Sequence, residues 1–175
     1  ERRGLYYPPD PASRENCSLG GNIATNAGGP RCLKYGVTRD YVLGLEVILA
    51  NGTRLRLGGR THKNKTGFDL HRLFVGSEGL LGVVTEATLK LIPRPPYRAC
   101  LGVGFTTVRQ AARAIRAIFA AGFLPSALEM ADAFTLRAAE KRTGSKMLAG
   151  CGSHLIVELD GQESSVRREV TALAR

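Results

Sequence analysis

The segment YVLGLEVILANGTRLRL, which runs from Tyr41 to Leu57, restricts the folds open to this chain more than any other stretch. Asn51-Gly52 near its middle favours the positive φ angles of a tight hairpin turn, so the segment predicts two antiparallel strands. A strand with apolar residues on both faces is covered on both sides, which indicates a central position in its sheet. One face of the first strand carries Leu43, Leu45, Val47 and Leu49, and the other carries Val42, Ile48 and Ala50.

The segments around this hairpin predict the rest of a first domain. Residues 1–38 are rich in Gly, Pro, Asn and Ser, and we expect a long shaped loop with one short helix around Ile23 to Ala27. DLHRLFVGSEG predicts a short helix that ends in a turn, and GVVTEATLKLIP predicts a strand stopped by Pro93. PRPP, from Pro93 to Pro96, is the clearest linker in the chain.

Strands and helices alternate beyond this linker. YRACLGVGF predicts a strand, and Thr106 or Thr107 caps a helix that Gly122 ends. PSALEMAD and HLIVELDG predict two further strands, with a helix from Asp132 to Lys141 between them and a last helix from Ser164. This order predicts a small α/β sandwich. The first helix places Val108, Ala111, Ala112, Ile115, Ile118 and Phe119 on its apolar face, opposite Arg109, Arg113 and Arg116.

Composition narrows the class of protein. A chain of 175 residues with 43% hydrophobic and 23% charged residues is typical of one soluble domain or two small ones. No apolar run approaches the roughly 20 residues of a spanning helix, and no targeting segment is present, so we expect a cytoplasmic location. The four cysteines form no CxxC pair, which argues against zinc and favours reduced thiols. For Cys17 and Cys32, buried filler is favoured over a redox role.

The formal net charge of +10 leaves two interpretations open. A basic surface can bind nucleic acid or acidic lipid. The basic residues are scattered among apolar and acidic ones, however, and they do not alternate with aromatic residues as in an RNA-reading sheet. Compositional bias, together with the need to hold an anionic cofactor, explains the charge at least as well.

The run LGGNIATNAGG, from Leu19 to Gly29, holds four glycines, two asparagines and no charge. Successive N–H groups in such a segment can form a concave nest for an anion, and glycine lets a ligand approach closely. An uncharged loop rich in donors suits a pyrophosphate or the edge of a heteroaromatic ring. The competing interpretation is a loop full of turns, because the run is neither GxGxxG after a strand nor GxxxxGK[ST].

Three blocks carry a family resemblance: PPDPASRENCSLGGNIATNAGG, YGVTRDYVLGLEVILANG and GFDLHRLFVGSEGLLGVVTEATLKLIPRP. Together they resemble the FAD-binding domain of the vanillyl-alcohol oxidase and p-cresol methylhydroxylase superfamily. Within it, the chain is similar to the flavin subunit of glycolate oxidase and to D-lactate and D-2-hydroxyglutarate dehydrogenases. The resemblance implies an α+β fold. Residues 1–98 would be the C-terminal subdomain of a p-cresol methylhydroxylase-type FAD-binding domain, and residues 99–175 the first part of a ferredoxin-like α/β substrate-cap domain.

The resemblance also implies a flavoprotein oxidoreductase. Its reaction would transfer hydride from the α-carbon of a D-2-hydroxy acid, such as glycolate or D-lactate, to N5 of FAD. Implied partners are this substrate, an electron-acceptor subunit or protein that could bring the enzyme to a membrane, and further copies of the chain. Both ends of the chain look cut, and an initiator Met is missing, so we expect a fragment that is inactive alone. The alternatives are a noncatalytic cofactor-holding or assembly subunit, and a basic nucleic-acid-binding protein.

Cofactor contacts are carried over from the resemblance position by position, whereas no catalytic residue and no metal ligand is assigned. Glu78 could instead be a general base. The implied FAD contacts are Pro9, Asp10, Gly20, Gly21, Asn22, Thr25, Asn26, Gly28, Gly29, Tyr35, Gly36, Thr38, Glu78, Gly79, Gly82 and Val84.

The remaining polar candidates favour structural roles. His62, His71 and His154 are too scattered for a metal site, and His71 is expected at the surface. Ser77 lies between glycines, but GSEG is not a nucleophile elbow. We expect Glu129 and Asp132 to make cap or hinge contacts rather than to meet substrate, and Lys63 and Lys65 to lie in a solvated loop.

Overall fold

The computed structural model describes residues 3–146 and 148–174. The chain divides into two units, residues 1–94 and residues 95–175, and the division falls inside the predicted linker. A strand of the second unit begins at Tyr97. The domain boundary predicted from the sequence, between residues 98 and 99, stays a prediction.

The first unit holds a three-stranded antiparallel sheet and a separate two-stranded ladder. Its elements are β1 (Leu5–Tyr6), α1 (Leu19–Thr25), α2 (Cys32–Tyr35), a 3-10 helix (Thr38–Tyr41), β2 (Val42–Ile48), β3 (Arg54–Gly58), α3 (Leu70–Phe74), β4 (Val83–Leu89) and β5 (Ile92–Pro93). The order in the larger sheet is β3-β2-β4, and β1 pairs with β5. The prediction that β2 is a central strand is therefore confirmed.

The turn between β2 and β3 is longer than a two-residue hairpin turn. The Gly52 N–H donates to the Leu49 carbonyl at 2.9 Å, and Leu49 N–H donates to the Thr53 carbonyl at 2.9 Å. Gly52 takes a φ of 81°, whereas Asn51 does not adopt a positive φ. Asn51 instead accepts the Thr53 N–H on its side-chain oxygen at 3.0 Å, which stabilises the turn locally.

The core of the first unit explains why residues 1–38 contain more helix than the sequence predicted. Ile23 is 2% exposed and packs with Val42, Val47 and Val75. Burial of Ile23 compensates for the low helix propensity of Gly20 and Gly21, so α1 begins at Leu19 rather than near Ile23. A second short helix, α2, follows within the segment that was predicted to be loop.

The second unit is a three-stranded antiparallel sheet with helices. Its elements are β6 (Tyr97–Phe105), α4 (Val108–Ala120), β7 (Ala127–Asp132), α5 (Ala133–Thr143), β8 (Ser153–Gly161) and α6 (Glu163–Leu173). The strand order is β6-β8-β7, so the last strand in sequence lies in the middle. Leu155 and Val157 of β8 form the core with Ile118 of α4. The predicted α+β class, with mainly antiparallel sheet, is confirmed.

Local signals set the ends of the helices in the second unit. Thr107 caps α4 by accepting the Gln110 N–H, and the Gln110 side chain accepts the Thr107 N–H in return. Asp132 caps α5 and accepts the Thr135 N–H at 2.8 Å. Across residues 3–146 and 148–174, no helix is long and apolar enough to cross a membrane.

Candidate functional site

The glycine-rich run forms α1 and its caps. Ser18 lies at the N-cap, and its hydroxyl oxygen accepts the Gly21 N–H at 3.0 Å. Asn26 ends the helix in the left-handed conformation, with φ 50° and ψ 51°. A left-handed residue at this position turns the chain sharply, so residues after Asn26 leave the helix axis at once.

The turn that follows α3 contacts the C-terminal end of α1. The Gly76 N–H donates to the Ile23 carbonyl at 2.9 Å, and the Glu78 N–H donates to the Ala24 carbonyl at 2.9 Å. Glu78 has a φ of 52° and, with Asn26, is one of the two non-glycine residues of the described chain that adopt a positive φ. Such conformations cost free energy and persist where surrounding contacts hold them.

The 3-10 helix brings a third segment to the same place. The hydroxyl of Thr38, which is fully buried, donates to the Ala27 carbonyl at 2.7 Å, and the Thr38 N–H donates to the same carbonyl at 3.1 Å. The next residue, Arg39, donates its N–H to the side-chain oxygen of Asn26 at 2.9 Å. The structure thus brings Asn26, Thr38 and Glu78 together around the end of one helix.

The N-terminal segment contacts the end of the glycine run. Pro9 is buried, and the Asp10 carboxylate pairs with the Arg31 guanidinium. Gly29 lies directly against Asp10, because a Cβ placed at Gly29 would lie 2.6 Å from Asp10 Oδ1. Arg31 pairs with Oδ2 of Asp10, whereas Oδ1 is buried and has no hydrogen-bond partner among the described residues. Asp10 therefore packs the segment onto the loop at Gly29.

The predicted glycines fall into two groups by the space at their α-carbons. At Gly20 and Gly79 an added Cβ would meet nothing within 4 Å, and at Gly21 it would meet only the Ser18 hydroxyl, at 3.1 Å. At the other four positions a Cβ would press against the chain itself. These packed glycines are Gly28 against Cys32, Gly29 against Asp10, Gly36 against Asp40, and Gly82 against the carbonyl of Ile48 and the side chain of Val47.

Two of the open glycines, Gly20 and Gly21, lie on the exposed face of α1, and Gly79 lies in the turn that follows α3. Gly20, Gly21 and Thr25 are exposed, whereas Asn22 and Ile23 are buried on the opposite face. The amide of Asn22 donates to the sulfur of Cys17 at 3.3 Å, so this side chain is committed to a contact within the chain. Leu19 at the start of the helix is also exposed, but Gly20, Gly21 and Thr25 offer no charge and no side chain larger than threonine, so a flat ligand can approach the helix backbone closely beside them.

Two of the predicted contact residues have side chains with structural roles. Val84 packs against the core of the first unit. Tyr35 makes an edge-to-face contact with Tyr6 at 6.0 Å between ring centroids, and its carbonyl accepts the Tyr41 hydroxyl at 2.8 Å. Burial, aided by the nearby Asp40 carboxylate, raises the pKa of Tyr41 to about 12.

His71 is buried rather than at the surface, which corrects the expectation from sequence. It is 8% exposed, and its Nε2 lies 3.1 Å from the Val42 carbonyl oxygen. Its Nδ1 lies 2.8 Å from a carboxylate oxygen of Asp69. The Val42 contact holds α3 against β2, and the Asp69 contact lies at the N-cap of the same helix, so the ring is used for packing.

The other polar candidates have local structural roles or lie in an exposed loop. Asp132 serves as a helix cap, and the Thr135 N–H that it accepts lowers its carboxyl pKa. His62, Lys63 and Lys65 lie in an exposed loop. Among the described residues, no three His, Cys, Asp or Glu side chains are grouped so that they could hold a metal ion.

Sequence reasoning missed the two arginines that join these segments, Arg31 and Arg39. Arg31 pairs with Asp10, and Arg39 Nη2 donates to the Val75 carbonyl at 2.7 Å. Both partners are distant in sequence, and neither arginine belongs to a periodic pattern. No local signal distinguished them from the other basic residues of this chain.

Comparisons with known proteins match a family to sequence in each of the two units. Residues 1–58 match the family described as FAD binding domain. Residues 94–175 match the family described as FAD linked oxidases, C-terminal domain. The uncharged, open face of α1 lies within the first match, and its lack of carboxylates fits an anionic cofactor with a planar ring.

Curated relatives match almost the whole chain. Glycolate oxidase subunit GlcD of Bacillus subtilis is 46% identical over 97% of this chain, which covers 36% of that relative. D-lactate dehydrogenase of Archaeoglobus fulgidus is 42% identical over 89% of this chain, which covers 35% of it. Mitochondrial D-2-hydroxyglutarate dehydrogenase of Bos taurus is 47% identical over 76% of this chain, which covers 25% of it. The chain thus spans about a third of the length of the first two relatives.

A solved structure shares the fold. Alkyldihydroxyacetonephosphate synthase matches 98% of this chain with a TM-score of 0.81 and 24% identity, and the match covers 34% of that protein. The family resemblance predicted from the three sequence blocks is confirmed. The chain thus combines sequence of the family described as FAD binding domain, in residues 1–58, with sequence of the family described as FAD linked oxidases, C-terminal domain, in residues 94–175.

Proposed function

We propose that this chain supplies part of the FAD site of an enzyme that oxidises a D-2-hydroxy acid, of the glycolate or D-lactate type, to the 2-oxo acid. When bound, FAD would accept the hydride removed from the α-carbon of the substrate. The chain's own part is to hold and orient the cofactor. The names of the relatives, which are oxidases and dehydrogenases of such acids, support this substrate class.

The open face of α1 is the observation that carries the proposal. Glycine in a helix costs roughly 0.5–1 kcal/mol relative to alanine, yet α1 has two adjacent glycines on its exposed side. Packing within the chain does not require them, because an added Cβ would meet nothing at Gly20 and only a hydroxyl at Gly21. A ligand that lies against the helix backbone gives them a physical reason. We assign Gly20, Gly21, Thr25 and Gly79 to direct contact with FAD.

In this proposal the other predicted residues do not contact FAD through their side chains and instead support the residues that do. Asp10, Gly28, Gly29, Gly36 and Gly82 would shape the loops through close packing, and Thr38 would fix the Ala27 carbonyl. Asn26 and Glu78 would hold the turns that flank the face. Pro9, Asn22, Tyr35 and Val84 would support it from the buried side, with only backbone groups available to the cofactor at Val84.

Partners and location form a finer part of the proposal. One relative is named as a subunit of glycolate oxidase, which supports an electron-acceptor subunit or protein as partner. We propose a cytoplasmic location, with membrane association only through such partners. Large apolar side chains are exposed in the first unit, including Leu80 at 90% and Leu73 at 61%, and they favour self-association or cover by further protein.

FAD titration of the purified chain tests the proposal. Flavin fluorescence and isothermal calorimetry would follow binding, first with this chain and then with a version extended towards the length of the relatives. We expect weak binding by the chain and stoichiometric binding by the extended version, which would then oxidise glycolate or D-lactate. Cofactor retention without turnover of any 2-hydroxy acid would support the alternative of a cofactor-holding subunit. Absence of FAD binding in both versions would contradict the flavin assignment.

A further inference from the structure

Arg39 lies where three segments of the first unit meet. Its backbone N–H donates to the Asn26 side chain at 2.9 Å, and its Nη2 donates to the Val75 carbonyl at 2.7 Å. One residue thus contacts the left-handed cap of α1 and the start of the turn that carries Glu78 and Gly79. The contact with Val75 spans 36 residues of sequence.

The packing around the guanidinium leaves it little freedom. A Cβ added at Gly76 would lie 3.2 Å from Arg39 Nη2 and 3.0 Å from the Cβ of Asn26. Gly76 has a φ of 85°, which favours glycine independently of the available space. Arg39 Nε is buried and has no hydrogen-bond partner among the described residues. A buried donor without a partner costs free energy, and the other contacts of Arg39 must offset that cost.

We propose that Arg39 is a positioning residue that sets the distance between α1 and the Val75–Gly79 turn, and thereby the shape of the surface that FAD contacts. This inference rests on the proposed function. Arg39 itself does not contact FAD in this proposal. Its side chain acts through Val75, at the start of the turn that carries Gly79, and its backbone N–H holds Asn26 next to Thr25.

The geometry favours a guanidinium over an ammonium group. The planar group reaches the Val75 carbonyl while its inner nitrogen lies buried beside the chain. Lysine has a single terminal nitrogen on a flexible stem, so it can satisfy the carbonyl but cannot fill the same planar space. Methionine keeps the length of the apolar stem and removes the hydrogen bond altogether.

Three variants of Arg39 test the proposal. We would measure FAD affinity by calorimetry, amide hydrogen exchange at Gly76 and Glu78 without cofactor, and thermal stability. Arg39→Met should weaken FAD binding and speed exchange at Glu78, each by about tenfold, the size expected for the loss of one hydrogen bond to a charged group. Arg39→Lys should fall between this variant and the wild type. In Arg39→Ala, added guanidinium ion should restore much of both properties.

A matched control is Arg54→Met, which also removes one arginine of the first unit. Arg54 is exposed and lies 3.8 Å from Glu46 on β2, away from α1, so FAD affinity and Glu78 exchange should stay at the wild-type values. If Arg39→Met loses thermal stability while FAD affinity and local exchange match Arg54→Met, Arg39 is only a stabilising residue and the inference is wrong. If the wild-type chain and its extended version both fail to bind FAD, the proposed function falls, and this inference falls with it.

Discussion

Gly20 and Gly29 belong to one glycine-rich run, but a Cβ added at Gly20 would meet nothing, whereas a Cβ added at Gly29 would clash with Asp10. Gly20→Ala should raise the free energy of unfolding by roughly 0.5–1 kcal/mol, because alanine favours the helix and its Cβ meets nothing. The same change should weaken FAD binding, because the Cβ projects from the contact face. Chemical denaturation and FAD titration of one preparation measure both effects.

Gly29→Ala is the variant to compare with Gly20→Ala. Its Cβ would lie 2.6 Å from Asp10 Oδ1, so the variant should lose roughly 1–3 kcal/mol of stability from overpacking. A Gly20→Ala protein that is more stable and binds FAD as tightly as the wild type would show that the open face is not used.

Tyr41 predicts a pH dependence at alkaline pH. Its folded pKa is raised by burial to about 12 from an ordinary value of 10.0, so the folded state favours the neutral phenol. The resulting stabilisation is complete below pH 10.0 and should be lost as the pH rises towards about 12. Tyr41→Phe should remove part of this loss, as followed by denaturation at several pH values. Burial also raises the pKa of Tyr7, so a smaller slope should remain; an unchanged slope would contradict the assignment.

At the scale of elements, helix α4 depends on a capping box. Thr107 accepts the Gln110 N–H at 3.3 Å, and the Gln110 side-chain oxygen accepts the Thr107 N–H at 3.3 Å. Thr107→Ala should cost about 1 kcal/mol, whereas Thr107→Ser should keep most of the stability because its hydroxyl remains. Urea denaturation of the two variants provides the measurement, and equal losses would argue against the cap.

Sequence patterns were most informative at this scale because caps and turns are local. The longer strands, a cap at Thr106 or Thr107 and the stop at Gly122 were all visible in short stretches, since each depends on residues within one or two turns of chain. The short ladder of β1 with β5 was not predicted, because it pairs residues far apart in sequence. α1 was predicted incompletely for a different reason. Two glycines lower helix propensity, and only the burial of Ile23 against Val42 and Val47 compensates for them.

For the whole molecule, each unit has its own buried centre. Leu155 of β8 is 1% exposed and packs with Val157 and Ile118. Leu155→Ala should lower the stability of the second unit by about 2–5 kcal/mol, the usual cost of such a cavity. Hydrogen exchange of the β8 amides should speed up accordingly. The β2 amides of the first unit, whose core contains other residues, serve as an internal reference, and a larger effect on β2 than on β8 would contradict this division.

The family resemblance was carried by three blocks of the sequence. By itself the sequence also determined the longer strands, the capped start of α4 and the glycine run that points to a cofactor. These depend on residues near each other in the chain, where periodicity and turn chemistry act. Only the tertiary structure decided that His71 is buried, that Gly20 is open while Gly29 is packed, and that Arg39 reaches Val75. Each of these depends on which distant segments lie beside the residue, and the backbone approaches that create such neighbours form only when the sheet and α1 pack together.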